Sequence, residues 1–352
     1  NHFQFQNQLM LFEIHHRIKY GINVYGSLRQ PSFVHIANLF HPKTVDACFA
    51  CDGNAAVAGI KTDSNQWNLA GHRQRIIRVG EKGLALFAKL YDEPCTPPRQ
   101  ARLPALHSQQ LQNVMEKLAA EPKRLGDLQG EYYATVMWDE TNAIKKDGTI
   151  RRETSFPNDP TDLVLSGPHF HVGHPFYKTP QAICKLNSHY NCCDLTNLID
   201  DYLPRTNYRA DLSATEYLDR TPKVPWGTRK PVTEFYRFAA RGMLPPANER
   251  TLIPAIIHRG IGHVHSVQST CFIDNHVLLS HSAFSFSIIA DYFIKSTGRT
   301  NLHYIWQRFP LVPRLSPVEV RTLALNCLTT HYADLWSECW DEAFNQQRWA
   351  NQ

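Results

Sequence analysis

Proline decides most of what this chain can become. There are 22 prolines in 352 residues, and they cluster. Pro94, Pro97, Pro98 and Pro104 fall within residues 94–104. Two more interrupt residues 155–162, SFPNDPTD, and others recur through residues 204–231. Each proline fixes φ and removes a backbone donor, so a helix or a central strand must stop near it. What remains between the clusters is a series of short segments. The expected fold class is α+β: a mixed sheet, flanking helices and a C-terminal helical segment. The Pro/Asn/Asp cluster at 155–162 is the expected boundary between two main parts.

The segments carry their own periodicities. Residues 12–25, FEIHHRIKYGINVY, alternate and are rich in β-branched and aromatic side chains, which predicts one or two strands. Leu84, Phe87, Leu90 and Tyr91 have helical spacing. So do Leu111, Val114, Met115 and Leu118, with Ser108 as the expected N-cap. Residues 132–141 read as a strand. Residues 232–244 read as a helix with Phe235, Phe238, Ala239 and Met243 on one face. Residues 251–257 read as a strand, and residues 280–297 as a single helix with a serine-lined face. Residues 316–344 predict one long helix or a bent pair.

Composition narrows the class. Hydrophobic residues make up 43% and charged residues 20%, enough for a core and too long for one typical domain. The net charge of +5 is compatible with nucleic acid without requiring it. No apolar run approaches the ~18 residues of a membrane span, and no signal peptide is legible. Nine cysteines without a secretory signal are read as reduced thiols in a cytoplasmic protein. The chain opens at Asn1 directly on apolar alternation, so a preceding segment is expected.

The signatures of a self-contained enzyme are missing. The sequence has no glycine-rich phosphate loop, no dinucleotide fingerprint and no Gly-x-Ser-x-Gly elbow. Residues 173–177, GHPFY, share a proline and a tyrosine with the Asn-Pro-Pro-Tyr motif that grips adenine. They lack its second proline, and His174 stands where the amide should be, so a plain β-turn is the reading. Glu121-Pro122-Lys123 ends the helix before it, because Pro122 would break one. Cys48 and Cys51 have zinc spacing. The candidates to complete four ligands, His189, Cys192 and Cys193, lie far along the chain, and adjacent cysteines do not readily reach one tetrahedral ion. Buried thiols and no metal are the expectation. His169 and His171 alternate as on one strand face and read as packing or polar surface groups.

Three stretches together resemble a known family: residues 165–180 (LSGPHFHVGHPFYKTP), 249–266 (ERTLIPAIIHRGIGHVHS) and 293–313 (FIKSTGRTNLHYIWQRFPLVP). They are similar to the C-terminal target-recognition region of large adenine-specific DNA methyltransferases. These are the type IIG-like restriction–modification enzymes and the related BREX and DISARM methylases of phage defence. Residues 5–26 resemble the last strands of their catalytic domain, and residues 72–94 the segment that follows it. The resemblance implies residues 1–26 as the tail of a catalytic domain and 27–160 as a linker and α/β connecting domain. It implies 161–313 as the DNA target-recognition domain and 314–352 as a C-terminal helical segment. It also implies a parent that methylates adenine N6 from S-adenosylmethionine, with the cofactor and catalytic motifs outside this chain. The implied partners are double-stranded DNA and the rest of the parent chain, with no membrane.

On this reading residues 295–301 acquire a role. Ser296, Thr297 and Gly298 would let the backbone approach a phosphate, while Lys295 and Arg299 add charge. Asn301 and His303 would reach base edges. Arg237, Arg250 and Arg259 are expected to line a cleft with Lys295. Residues 202–262 carry ten Lys/Arg against five Asp/Glu, whereas 317–352 carry two against five, which suggests one face for DNA and one for protein. The alternatives are an interaction module without nucleic acid, or a metalloenzyme whose site is not legible.

Overall fold

In the computed structural model, which describes residues 1–346 apart from 28, 172, 246, 247, 303 and 304, the chain divides at Pro122 and Lys123. The first unit is Asn1–Pro122 with Phe293–Gly298; the second is Lys123–Tyr292 with the residues from Arg299 on. The expected boundary at 155–162 lies inside the second unit. The physical reason is pairing across that segment. Tyr132–Thr135 joins the main sheet of the second unit, and Ser155 bridges Thr206.

The first unit is built on a mixed four-stranded sheet. Its strands are β1 (His2–Gln6), β2 (Lys19–Asn23), β3 (Ser32–Leu39) and β4 (Ile77–Gly80), in the order β2-β1-β3-β4. β1 runs antiparallel to β2 and parallel to β3. Phe5, Ile36, Leu39, Cys48 and Ile76 form the core, with α1 (Lys43–Ala50) against it. Only part of residues 12–25 is strand, because buried Asn7 holds the preceding loop. Its amide donates to the Phe12 and Ile14 carbonyls at 2.9 and 2.7 Å and accepts from the Phe12 N–H at 3.1 Å. Helix α2 (Glu81–Tyr91) buries Leu84, Phe87, Leu90 and Tyr91, the four positions its spacing predicts. α3 (Gln109–Ala120) buries Met115 and Leu118. Ser108 stands at its N-cap, but its hydroxyl makes no capping bond.

The second unit is built on an antiparallel four-stranded sheet. The strands are β5 (Tyr132–Thr135), β11 (Arg237–Arg241), β12 (Pro254–Ile257) and β14 (Val267–Phe272), in the order β12-β11-β14-β5. Short elements decorate it: α4 (Glu140–Lys145), β6 (Ile150–Arg151), β7 (Val164–Leu165), β8 (Lys178–Pro180), β9 (Tyr190–Cys192), β10 (Arg209–Ala210), α5 (Ala214–Arg220) and β13 (Gly262–His263). One face of the sheet covers a core of Leu163, Leu165, Phe170, Ala239, Ala255, Ile257, Ile261 and Val267. Against the other face, His281 sits among Phe238, Phe272, Trp306 and Phe309, with ring centroids 4.6–5.6 Å away. The fold is α+β, with mixed sheets and flanking helices.

Three elements differ from expectation. Residues 232–244 are not a helix: a 3₁₀ turn, Val232–Glu234, leads into β11. A strand covered on both faces carries apolar residues on both, which mimics a helical repeat. The helix expected over 280–297 is two helices, α6 (Asn275–Ser285) and α7 (Ile288–Ser296). Ser282 and Ser285 return hydrogen bonds to the Leu278 and His281 carbonyls at 2.7 Å each, and Arg250 takes the Phe286 carbonyl at 3.0 Å, which ends α6. The C-terminal pattern is likewise broken, into α8 (Ser316–Asn326) and α9 (Ala333–Glu338). No helix among the described residues is long and apolar enough to cross a membrane.

Candidate nucleic-acid interface

The hydroxyls of Ser296 and Thr297 are committed to finishing α7. Ser296 is fully buried; its hydroxyl donates to the Phe293 carbonyl at 2.7 Å and meets the Tyr91 hydroxyl at 2.6 Å. Thr297 Oγ1 donates to the Ile294 carbonyl at 2.6 Å. Gly298 has φ +67, a conformation that favours glycine, and its carbonyl accepts from Lys19 Nζ at 2.9 Å. Lys295, with these three residues, belongs to the first unit.

Arg299 and Asn301 belong to the second unit, where the chain joins the end of β11. The Thr300 carbonyl accepts from the Leu244 N–H and the Gly242 carbonyl from the Leu302 N–H, both at 2.9 Å; Asn301 bridges Met243. Arg299 and Asn301 are half-buried. His303 lies outside the described residues.

The three expected cleft arginines of the second unit are not grouped. Arg237 is a correction: it is 0% exposed, inside the sheet. Its guanidinium donates to the Ile261 carbonyl and reaches Ser269 Oγ at 3.4 Å and Met137 Sδ at 3.5 Å. Burial pushes its pKa down to about 10. A strand alternates its faces, so Arg237, Ala239 and Arg241 point to one side, and at 237 that side is core. Arg250 is braced by the Phe286 and Ser287 carbonyls and by Asp291 at 3.5 Å. Arg259 is exposed, pairs with Asp334 at 2.9 Å and lies over the Tyr236 ring.

The residue that sequence reasoning passed over is Arg241. It ends β11 half-buried, and burial lowers its pKa. Among the described residues its side chain has neither a carboxylate nor a hydrogen-bond acceptor. It lines a polar pocket of about 260 Å³ with Arg152, Asn187, Asn207, Tyr190 and Ser266. Met243, the bridge partner of Asn301, lines the same pocket. Arg152 lies over the Tyr208 ring, with Glu140 3.9 Å away. Tyr190 shares a 3.0 Å hydrogen bond with Ser166, and burial pushes its phenol up to about 12. Gly167 and Gly242 both press against Ser266: a Cβ on either would meet the Ser266 carbonyl oxygen at 3.3 Å.

A pocket with two guanidiniums, two amides and hydroxyls offers many donors and one acid, Glu140. It suits a phosphate or a base edge. The only local signal for it was the parity shared by Arg237 and Arg241; Arg152, Asn187 and Asn207 come from scattered loops and carry no common pattern. Among the described residues no three His, Cys, Asp or Glu side chains are grouped to hold a metal ion. Cys48 is a core residue, and Cys193 Sγ meets the Tyr202 hydroxyl at 3.2 Å. The chain matches no protein-family model and no curated protein.

Proposed function

We propose that this chain is the DNA target-recognition portion of an S-adenosylmethionine-dependent adenine-N6 DNA methyltransferase of a restriction–modification or phage-defence system, acting in the cytoplasm. The observation that supports the reading best is Arg241: a half-buried guanidinium without an anionic partner among the described residues, in a donor-rich pocket beside Asn301. Desolvating such a group is unfavourable unless a counter-charge completes it. A backbone phosphate supplies that charge and fixes the register of the duplex. Arg152 adds charge in the same pocket, while Asn187 and Asn301 are the amides suited to base edges; Asn207, 2% exposed and accepting from Thr154 Oγ1 at 2.6 Å, serves only as lining. The methyl donor binds in the parent's catalytic domain, and this chain selects the adenine.

The partner that holds this module in place is the rest of the parent chain. Exposed Met10, Phe12, Ile14, Ile22, Val24 and Tyr25 in the first unit support a protein contact there. The test is duplex affinity by fluorescence anisotropy across a salt series. Counterion release requires affinity to fall steeply with salt, and Arg241→Ala should reduce the slope of log K against log salt by roughly one unit. No salt-dependent affinity for duplex DNA overturns the reading.

A further inference from the structure

We propose that a second cavity of the same unit is a nucleotide site, holding one unstacked base against an apolar wall with its phosphate at the mouth. The cavity has a volume of about 460 Å³, within the roughly 300–1,000 Å³ of pockets that enclose small organic ligands. Leu252, Pro254, Phe286 and Val318 make its wall. It is separate in its lining from the polar pocket beside Asn301.

His174 carries the argument. It lines the cavity at 5% exposure. Its Nδ1 accepts the Phe176 N–H at 2.9 Å, so the neutral ring carries its proton on Nε2. Among the described residues Nε2 has no well-formed hydrogen bond; the Asn326 main chain lies close enough to the ring to oppose, in part, the burial that lowers its pKa. The Asn326 side chain is already spent, accepting from the Ile256 N–H at 2.7 Å and donating to the Gly173 carbonyl at 2.9 Å. A buried donor left unmade is unfavourable, and a ligand acceptor would complete it.

The mouth has the opposite character. Arg321 is exposed there. Arg250 is beside it, its charge offset by Asp291. His171 and Tyr177, with ring centroids 4.8 Å apart, form an aromatic rim that feels Lys178 and Arg241, opposed by Glu249. The complementary ligand therefore has an acceptor at its inner end, a flat apolar body and an anion at its outer end. A fatty acid fails on the first count, because its inner end is a hydrocarbon tail. A nucleobase with its phosphate meets all three. The nucleotide is either free or extruded from a strand, and the second source rests on the DNA reading above.

The test uses the full chain, the four deoxynucleoside monophosphates as free probes, and a mixed-sequence duplex carrying 2-aminopurine. Two variants close the site differently. His174→Phe removes the donor, and Leu325→Trp fills the mouth from a position that is 66% exposed and so leaves the core intact. Saturable binding of a mononucleotide by ligand-observed NMR, weakened at least tenfold in both variants with thermal melts unchanged in Leu325→Trp, is the expected result. A rise in 2-aminopurine fluorescence on duplex binding, lost in both variants, assigns the base to DNA; its absence beside mononucleotide binding assigns a free nucleotide. Duplex binding with a normal salt slope but no response from either probe overturns the pocket and leaves the DNA reading standing. No duplex binding and no probe response overturn both, and mononucleotide affinity unchanged in Leu325→Trp overturns the pocket.

Discussion

The two units keep different kinds of unfinished surface. In the first, the buried charge is largely used: Arg75 is 2% exposed and its two terminal nitrogens donate to the Ala70, Ala37 and Asn38 carbonyls at 3.0–3.1 Å, with Nε alone left without a partner among the described residues. What it leaves exposed is apolar, culminating in Tyr25 at 87% exposure. In the second, the sheet is covered on both faces; it too exposes apolar side chains, Ile183 and Ile288 among them, but it also leaves polar groups incomplete among the described residues: the Arg241 guanidinium and the Nε2 donor of His174. Exposed apolar side chains are completed by protein, and buried unpaired donors are completed by anions and acceptors.

The same contrast sets the largest predicted effect. Five histidines of the second unit are buried and held neutral: His169 and His174 with pKa pushed down to about 4, and His258, His263 and His281 to about 3, each mainly by burial. The first unit has two, His35 and His107, both near 4. Above pH 6.5 neither the folded nor the unfolded state protonates these rings, so they cost nothing. As pH falls below 6.5 the unfolded chain binds protons that the folded chain refuses, and stability drops until the folded pKa values are reached. At pH 5 that is about 2 kcal/mol per ring, so about 10 for the second unit against about 4 for the first. Hydrogen exchange followed by mass spectrometry between pH 7 and 5 should show second-unit amides losing protection first. Simultaneous loss, or first-unit loss, breaks the comparison.

Arg237→Ala comes next. It leaves a cavity in the sheet and strips the Ile261 carbonyl of its donor, costing about 3–5 kcal/mol. In a urea melt, the second unit alone should move to lower denaturant. DNA affinity should fall only where that unit unfolds; a reduced salt slope with unchanged stability would return Arg237 to the interface.

Helices were legible where one face alone is covered. The spacing of Leu84, Phe87, Leu90 and Tyr91 is enough to place α2. β11 was misread because Phe238, Ala239 and Ala240 are all buried, and two covered faces erase the alternation that marks a strand. The polarity of residues 295–301 was also legible, but not its use, since a hydroxyl that caps a helix and one that grips a phosphate are the same residue type. Arg237 and Arg241 differ only in how much of the fold lies over them, which no local pattern records. The division at Pro122 was hidden because residues 132–135 find their strand partner more than a hundred residues away.

Gly298→Val has a smaller effect, confined to the first unit. Its φ of +67 is strained for a β-branched residue, and the new Cβ would stand 3.3 Å from Lys19 Nζ, a flexible tip that can yield. About 1–3 kcal/mol should be lost from the first unit, read from the same urea melts, with the salt slope of DNA binding unchanged. A change of slope without a change of stability would show that this backbone meets phosphate.

The smallest effect separates Arg259 from Arg241, two arginines at opposite ends of the electrostatic argument. Arg259 is paired with Asp334 at 2.9 Å on an exposed surface and stacks over Tyr236 at 4.5 Å. An exposed ion pair with one cation–π contact contributes under about 1.5 kcal/mol, and much of its charge is already neutralised. Arg259→Ala should therefore leave the salt slope of duplex binding unchanged, whereas Arg241→Ala reduces it. If instead Arg259→Ala lowers the slope by a full unit and Arg241→Ala does not, Arg259 must exchange Asp334 for a phosphate when DNA binds. The interface would then lie at the β12–β13 turn near α9, and the donor-rich pocket at the end of β11 would have only a structural use.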